Sequence, residues 1–144
     1  MRLIFLILAL NAFPLCILGQ KDSTINTTVY LDATPPLTRV DSIFCSIPNL
    51  LQISFMEGFN DTVYIFRNEN CVDTMPLFTN ESIGLAGEIG FGFDSYDDKI
   101  YLTLRFKKSG AIIREKLNLK YKHLQIRHLG DWGLYYSNHF PVLE

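Results

Sequence analysis

The sequence predicts an all-β protein, a two-layer antiparallel β-sandwich of about eight to ten strands. Apolar and polar residues alternate with period two in several segments, turn-forming residues separate those segments, and no coiled-coil heptad is present. With 48% hydrophobic residues, 19% charged residues and a net charge of −2, the 144-residue chain is suited to bury one core and not to remain disordered.

The first 19 residues have the order of a secretory signal peptide. Arg2 precedes an apolar run over residues 3–18, and the small residue Gly19 follows it. A membrane-spanning segment is the alternative, but the run is shorter than the roughly 20 residues that a span needs, and Asn11 and Pro14 interrupt it. We therefore predict cleavage after Gly19 and a secreted, extracellular mature protein without a membrane span.

Residues 20–36 are predicted to form an extended N-terminal arm, and residues 37–144 the sandwich domain. The arm is polar and ends in Thr34-Pro35-Pro36, which favours an extended arm or an edge strand over a helix. The clearest strand of the domain is 99–107, in which apolar and polar side chains alternate strictly. Segment 111–120 fits either a strand or a short helix, and the Ser109-Gly110 turn before it favours a strand.

Two further features agree with export. Removal of the leader leaves two cysteines, Cys45 and Cys71, which we predict to form a disulfide worth about 3 to 4 kcal/mol; two buried free thiols are the alternative. Asn26, Asn60 and Asn80 each begin an Asn-x-Ser/Thr sequon. These three asparagines are predicted glycosylation sites on the solvent-facing surface.

Other functional classes lack a supporting motif. Thirteen Lys and Arg against 15 Asp and Glu give no basic excess for nucleic acid. No nucleophile elbow or paired-carboxylate motif indicates an enzyme, no cofactor motif is present, and no metal site is predicted. Three groups resemble metal or phosphate sites but fit local or structural roles better: His123, His128 and His139; Asp94, Asp97 and Asp98; and Gly84, Gly87, Gly90 and Gly92.

The C-terminal segment is rich in aromatic residues. Trp132, Tyr135, Tyr136, His139 and Phe140 occur within nine residues. On a strand, Trp132 and Tyr136 share one face with Leu134, and Tyr135 takes the other. The predicted binding residues are Trp132, Tyr135 and Tyr136, as a platform for a sugar ring or a protein partner. The alternative is that the face bearing Trp132 and Tyr136 fills the core.

The C-terminal third of the chain resembles the end of a galectin-type carbohydrate-recognition domain. The resemblance rests on segments 106–110, 114–119 and 123–126, followed by Gly130-Asp131-Trp132-Gly133-Leu134. It implies a jelly-roll sandwich and a glycan ligand. Phe66-Arg67-Asn68 loosely resembles the Val-x-Asn sugar-binding strand of that family, which implies Asn68 as a binding residue. The family's His-x-Asn-x-Arg strand has no counterpart here.

Together these observations predict a secreted, glycosylated, single-domain binding protein that is not an enzyme and recognises a glycan or protein partner. A self-associating extracellular structural component is one alternative, and a secreted hydrolase is another. Neither nucleic acid nor a cofactor is expected.

Overall fold

The computed structural model describes residues 23–140, which form two packed five-stranded sheets and one short helix. The all-β sandwich is therefore confirmed. The signal peptide predicted for residues 1–19 lies outside the described residues. The elements are β1 Ser23–Thr24, β2 Thr28–Leu31, α1 Arg39–Ser46, β3 Leu50–Phe55, β4 Asn60–Arg67, β5 Asn70–Phe78, β6 Gly87–Gly92, β7 Tyr101–Phe106, β8 Ala111–Lys116, β9 His123–Leu129 and β10 Asp131–Ser137.

The strand order is β1-β8-β7-β4-β5 in the first sheet and β2-β10-β9-β3-β6 in the second. Neighbours are mostly antiparallel, but β1 pairs with β8, β2 with β10 and β3 with β9 in parallel. Both sheets are thus mixed, whereas the sequence predicted antiparallel pairing throughout. Period-two patterning sets which face of a strand is buried, and it does not encode the direction of the neighbouring strand.

The core lies between the sheets and is built from alternate residues of each strand. In β7, Leu102, Leu104 and Phe106 are at most 1% exposed, whereas Tyr101, the first residue of the strand, is exposed to solvent. Burying each such side chain contributes about 1.5 to 3 kcal/mol. Segment 111–120 opens as strand β8, with Ile113 opposite Leu104 in the same core.

The N-terminal arm connects the two sheets. Its strand β1 extends the first sheet beside β8, and its strand β2 extends the second sheet beside β10. Between them, Ile25 packs against the core. The arm therefore covers the side of the sandwich where β8 and β10 would otherwise be edge strands, and it brings β2 to the rim of the second sheet.

Helix α1 was not predicted from the sequence. Its N-cap is Thr38, whose Oγ1 accepts a hydrogen bond from the backbone N–H of Asp41 (3.0 Å), while the Asp41 carboxylate accepts one from the N–H of Thr38 (3.1 Å). The helix buries Asp41 and Phe44 and leaves Val40 and Ile43 exposed. Because so few of its apolar residues face the protein, the sequence carries no helical periodicity that indicates it.

The predicted disulfide is absent, and this prediction was wrong. Cys45 and Cys71 are both free thiols. Cys45 lies on α1, which packs over the second sheet through the ring contact between Phe44 and His123, and its Sγ is 3.4 Å from the carbonyl oxygen of Asn138. Cys71 is exposed on β5, an edge strand of the first sheet. The two cysteines therefore belong to different layers, which an even cysteine count does not reveal.

Candidate functional site

A groove of about 500 Å³ lies on the outer face of the second sheet. The side chains of Leu124, Ile126 and Leu134 are fully buried in the core, so the alternate residues of β9 and β10 point outward and form the groove floor. The groove is lined by the floor residues Gln125, Arg127 and Tyr135, by Tyr30, Leu31 and Asp32 of the arm, by Tyr136, Ser137, His139 and Phe140 of the C-terminal segment, and by Met56, Glu57, Ile83 and Gly84 of two loops.

Two tyrosine rings and a guanidinium form a stack across the floor. Tyr30 of β2 is directly opposite Tyr135 of β10, and their rings are parallel within 6° with centroids 4.4 Å apart. Arg127 of β9, the strand on the other side of β10, places Cζ 5.2 Å from the centroid of the Tyr135 ring. Tyr30 remains 47% exposed in this stack and lines the groove.

Gly133 makes this stack possible. A Cβ built on Gly133 would lie 2.5 Å from Cε2 of Tyr135, because the tyrosine ring lies over the glycine backbone. Arg127 pairs with Gly133 across the two strands, so the guanidinium reaches the same position. Its Nη2 also donates to Oε1 of Gln125 at 2.7 Å. The floor side chains are thus held by one another before any ligand is bound.

His139 joins the arm, the helix and the C-terminal segment at one end of the groove. Its Nδ1 is 3.5 Å from Oδ2 of Asp41, and its Nε2 is 3.9 Å from Oδ2 of Asp32. The backbone N–H of Phe140 donates to Asp41 at 2.7 Å, and this hydrogen bond holds the pKa of the Asp41 carboxyl well below its usual range. Hydrogen bonds from Thr34 lower the pKa of Asp32, so this end of the groove carries anionic carboxylates.

A serine and a histidine meet beneath α1. Ser54 Oγ lies 2.8 Å from Nε2 of His123 and 2.9 Å from Oε1 of Glu88, and Nδ1 of His123 is 3.2 Å from the carbonyl oxygen of His139. Burial lowers the pKa of His123 to about 4. Ser54 is 0% exposed and His123 1%, and neither lines the groove, so the serine hydroxyl has no access for a substrate. The pair serves as a buried polar contact between strands.

The predicted binding residues are distributed over different environments. Tyr135 has its side chain in the groove. Tyr136 borders the groove but is 1% exposed, and its hydroxyl lies 3.3 Å from Glu115 on the core side. Trp132 packs at the edge of the core, where its ring stacks on His128 with centroids 4.1 Å apart. Asn68 lies in the β4–β5 turn, outside the groove, and its Oδ1 accepts a hydrogen bond from the N–H of Tyr101 at 2.9 Å.

The sequence reasoning missed most of the groove. Gln125 and Arg127 carried a signal, because they alternate with the buried residues of β9 and must face outward. Tyr30 and Asp32 carried none, since only the pairing of β2 with β10 brings the arm to this surface. The stack of Tyr30 on Tyr135 is a tertiary feature that local patterns do not encode.

The remaining sequence features occupy the surface. The three sequon asparagines, Asn26, Asn60 and Asn80, are all exposed, and none of them lines the groove. The Asp98 carboxylate accepts the backbone N–H groups of Asp94 and Ser95, as expected for a turn aspartate. Among residues 23–140, no three His, Cys, Asp or Glu side chains are grouped so that they could hold a metal ion.

Comparisons with known proteins identify no similar protein. No protein-family model, curated protein or solved structure matches the chain. In the part of the chain that the structure describes, no helix combines the length and apolar character needed to cross a bilayer. The resemblance to galectin-type domains stays a prediction from the sequence.

Proposed function

We propose that this chain is a secreted, glycosylated binding protein without catalytic activity, and that it binds a glycan in the groove of the second sheet. The observation that carries the proposal is the stack of Tyr30, Tyr135 and Arg127, held in place at the floor of a concave, polar-rimmed surface. An open groove with an aromatic surface and a few fixed polar groups is typical of a small-ligand site.

The polar groups around the stack suit a sugar. A sugar ring has an apolar face, which packs on an aromatic side chain, and hydroxyl groups that both donate and accept hydrogen bonds. Asp32 and Glu57 supply acceptors, Arg127 supplies donors, and Gln125 supplies both. A protein partner would be favoured by a flat apolar patch instead, and the mixed lining of this groove argues for the glycan.

The exposure of the sequon asparagines supports the glycosylated, extracellular part of the proposal. Asn26, Asn60 and Asn80 are accessible to a modifying enzyme. Because none of them lines the groove, glycans at these positions would leave it open. The buried Ser54 hydroxyl supports the non-catalytic part, since the Ser–His pair that it forms cannot be reached by a substrate.

A glycan array followed by calorimetric titration tests the proposal. The mature protein is expected to bind a glycan saturably, and Tyr30→Ala or Arg127→Ala is expected to weaken binding by about tenfold, the loss of one stacking or charged hydrogen-bonding contact. Tyr101→Ala is the matched control, because Tyr101 is also an exposed strand tyrosine, 52% exposed, but lies on the first sheet.

Circular dichroism checks that each variant keeps the β-sheet spectrum. Binding that is unchanged in both groove variants, or that is reduced equally in Tyr101→Ala, would place the glycan elsewhere. The absence of any glycan ligand on an array of wide coverage would reject the proposed function.

A further inference from the structure

The β7–β8 hairpin concentrates positive charge in a chain that is acidic as a whole. Residues 105–116 read Arg-Phe-Lys-Lys-Ser-Gly-Ala-Ile-Ile-Arg-Glu-Lys, which contains five of the 13 Lys and Arg residues and one acid. The net charge of the whole chain is −2. The positive charge is therefore local to this hairpin and does not result from a generally basic composition.

The strand register places these cations on one surface. Leu104 pairs with Ile113, and both are fully buried in the core, so the neighbouring positions point away from it. The outward positions of β7 are Tyr101, Thr103 and Arg105, and those of β8 are Ile112, Arg114 and Lys116. Arg114 and Lys116 are exposed, as is Lys107 directly after β7. The exposed cations Lys107, Arg114 and Lys116 form what we call the basic face of the first sheet.

Among the described residues, the acids near Lys107, Arg114 and Lys116 have other partners. Glu115, between the two outward cations of β8, points to the core side, where Tyr136 Oη lies 3.3 Å from its Oε1. The carboxylate of Asp61, at the hairpin turn, accepts backbone N–H groups of Thr62, Lys108 and Ser109 at 2.7 to 2.9 Å. In the described part of the chain, no outward position of β4, β7 or β8 holds a carboxylate.

We propose that the basic face binds a linear sulfated polysaccharide. Outward side chains on one strand are about 7 Å apart and those on neighbouring strands about 4.8 Å apart, so the cations form a flat lattice that suits repeated anionic groups on an extended chain. This surface is on the first sheet and is distinct from the groove of the second.

The predicted export selects the class of polyanion. A secreted protein meets sulfated polysaccharides outside the cell, whereas nucleic acids are confined mainly within it. Sulfate groups are ionised at neutral pH and match the guanidinium of Arg114 in the way that other tetrahedral oxyanions do. The proposal rests on the export that is part of the proposed function, and it goes beyond that function because it concerns a different surface and a charged ligand.

Binding to heparin, measured by titration of the mature protein at physiological ionic strength, tests the proposal. The double variant Arg114→Ser/Lys116→Ser is expected to bind heparin about tenfold more weakly, since it loses two exposed ion pairs. The matched control is Arg39→Ser/Lys120→Ser, which removes the same charge at two other exposed cations, on α1 and before β9. The control pair is expected to change the affinity less than twofold.

Two further ligands and one further variant decide the chemistry. Desulfated heparin is expected not to bind, and a DNA duplex of similar length is expected to bind more weakly than heparin. Tyr30→Ala is expected to keep full heparin affinity even if it abolishes glycan binding in the groove. Equal loss in the two double variants, no heparin binding by the native protein, equal binding of desulfated heparin, tighter binding of DNA or loss in Tyr30→Ala would each overturn the proposal.

Discussion

Ser54 Oγ lies 2.8 Å from Nε2 of His123, and this buried ring nitrogen competes with a second acceptor for the one hydrogen of the serine hydroxyl. Nδ1 of His123 faces a carbonyl oxygen, which only accepts, so Nδ1 carries the hydrogen and Nε2 is free to accept from Ser54. The Ser54 hydroxyl also faces the carboxylate of Glu88. With His123 neutral and both neighbours accepting, the one hydroxyl hydrogen satisfies only one of them.

Burial of His123 makes the stability of the fold depend on pH. Its pKa is lowered to about 4 in the native state, whereas an unfolded histidine titrates near ~6.5. The unfolded state binds the proton more tightly than the native state. Neutral His123 therefore contributes its full stabilisation of the native state above about pH 6.5, and this contribution is lost as the pH falls towards 4. We expect the free energy of unfolding to fall by about 3 kcal/mol across this window.

His123→Gln isolates this effect, because glutamine does not titrate and the other ionisable groups are unchanged. Urea denaturation of both proteins from pH 4 to pH 7 gives the difference in unfolding free energy between them. That difference should change by about 3 kcal/mol over the window. A difference that is constant with pH would mean that His123 does not titrate between these values.

The free thiols differ in accessibility, which predicts different reactivity. Cys71 is exposed, whereas Cys45, which is part of α1, is partly buried, and this burial raises the pKa of its thiol. Since the thiolate is the reactive form, Cys71 should be alkylated rapidly in the native protein and Cys45 only slowly.

Mass spectrometry after timed alkylation, with and without denaturant, measures both rates. Cys71→Ser is the control: it should remove the fast reaction and leave the rate of Cys45 alkylation unchanged. A cystine linking Cys45 to Cys71 in the purified protein would contradict the structure.

Trp132 was a predicted binding residue, but its contacts are those of a core residue. Its ring centroid lies 4.9 Å from that of Phe106 and 5.8 Å from that of Phe59. Trp132→Ala should therefore lower the free energy of unfolding by about 2 to 3 kcal/mol, whereas Tyr135→Ala, on the opposite face of the strand, should lower it by about 1 kcal/mol.

Urea denaturation of the two variants at neutral pH makes this comparison. The contrary result is that Trp132→Ala unfolds at the same urea concentration as the native protein and loses glycan binding. That result would contradict the assignment of Trp132 to the core.

The sequence encoded burial better than it encoded pairing. The alternation in 99–107 correctly predicts which face of β7 enters the core, because period two is a property of the strand itself. Helix α1 was not predicted because the residues that it buries are Asp41 and Phe44, whereas other apolar residues of the helix are exposed to solvent. The disulfide prediction failed because cysteine spacing does not say which layer each cysteine joins.

The contrast between burial and strand pairing also explains why the sequence predicted only part of the groove. The outward direction of Arg127 follows from the pattern of β9, but its position beside Tyr135 depends on the register with β10. Tyr30 comes from a polar arm, and only its parallel pairing with β10 places it on Tyr135. Long-range contacts of this kind are set by the whole fold, so no local pattern identified them.

The close approach of Tyr135 to Gly133 predicts that one added methyl group will disable the groove without unfolding the protein. In Gly133→Ala the new Cβ would lie 2.5 Å from the Tyr135 ring, and the ring, which is at the surface, must move off Tyr30. Loss of the ring stack should weaken glycan binding by about three- to tenfold and reduce the near-ultraviolet circular dichroism of the tyrosine pair. Gly92→Ala is the matched control, since Gly92 also lies on a strand of the second sheet and a Cβ there would be 4.0 Å from the carbonyl oxygen of Asn49. Full glycan affinity and an unchanged tyrosine signal in Gly133→Ala would show that binding does not depend on the stack.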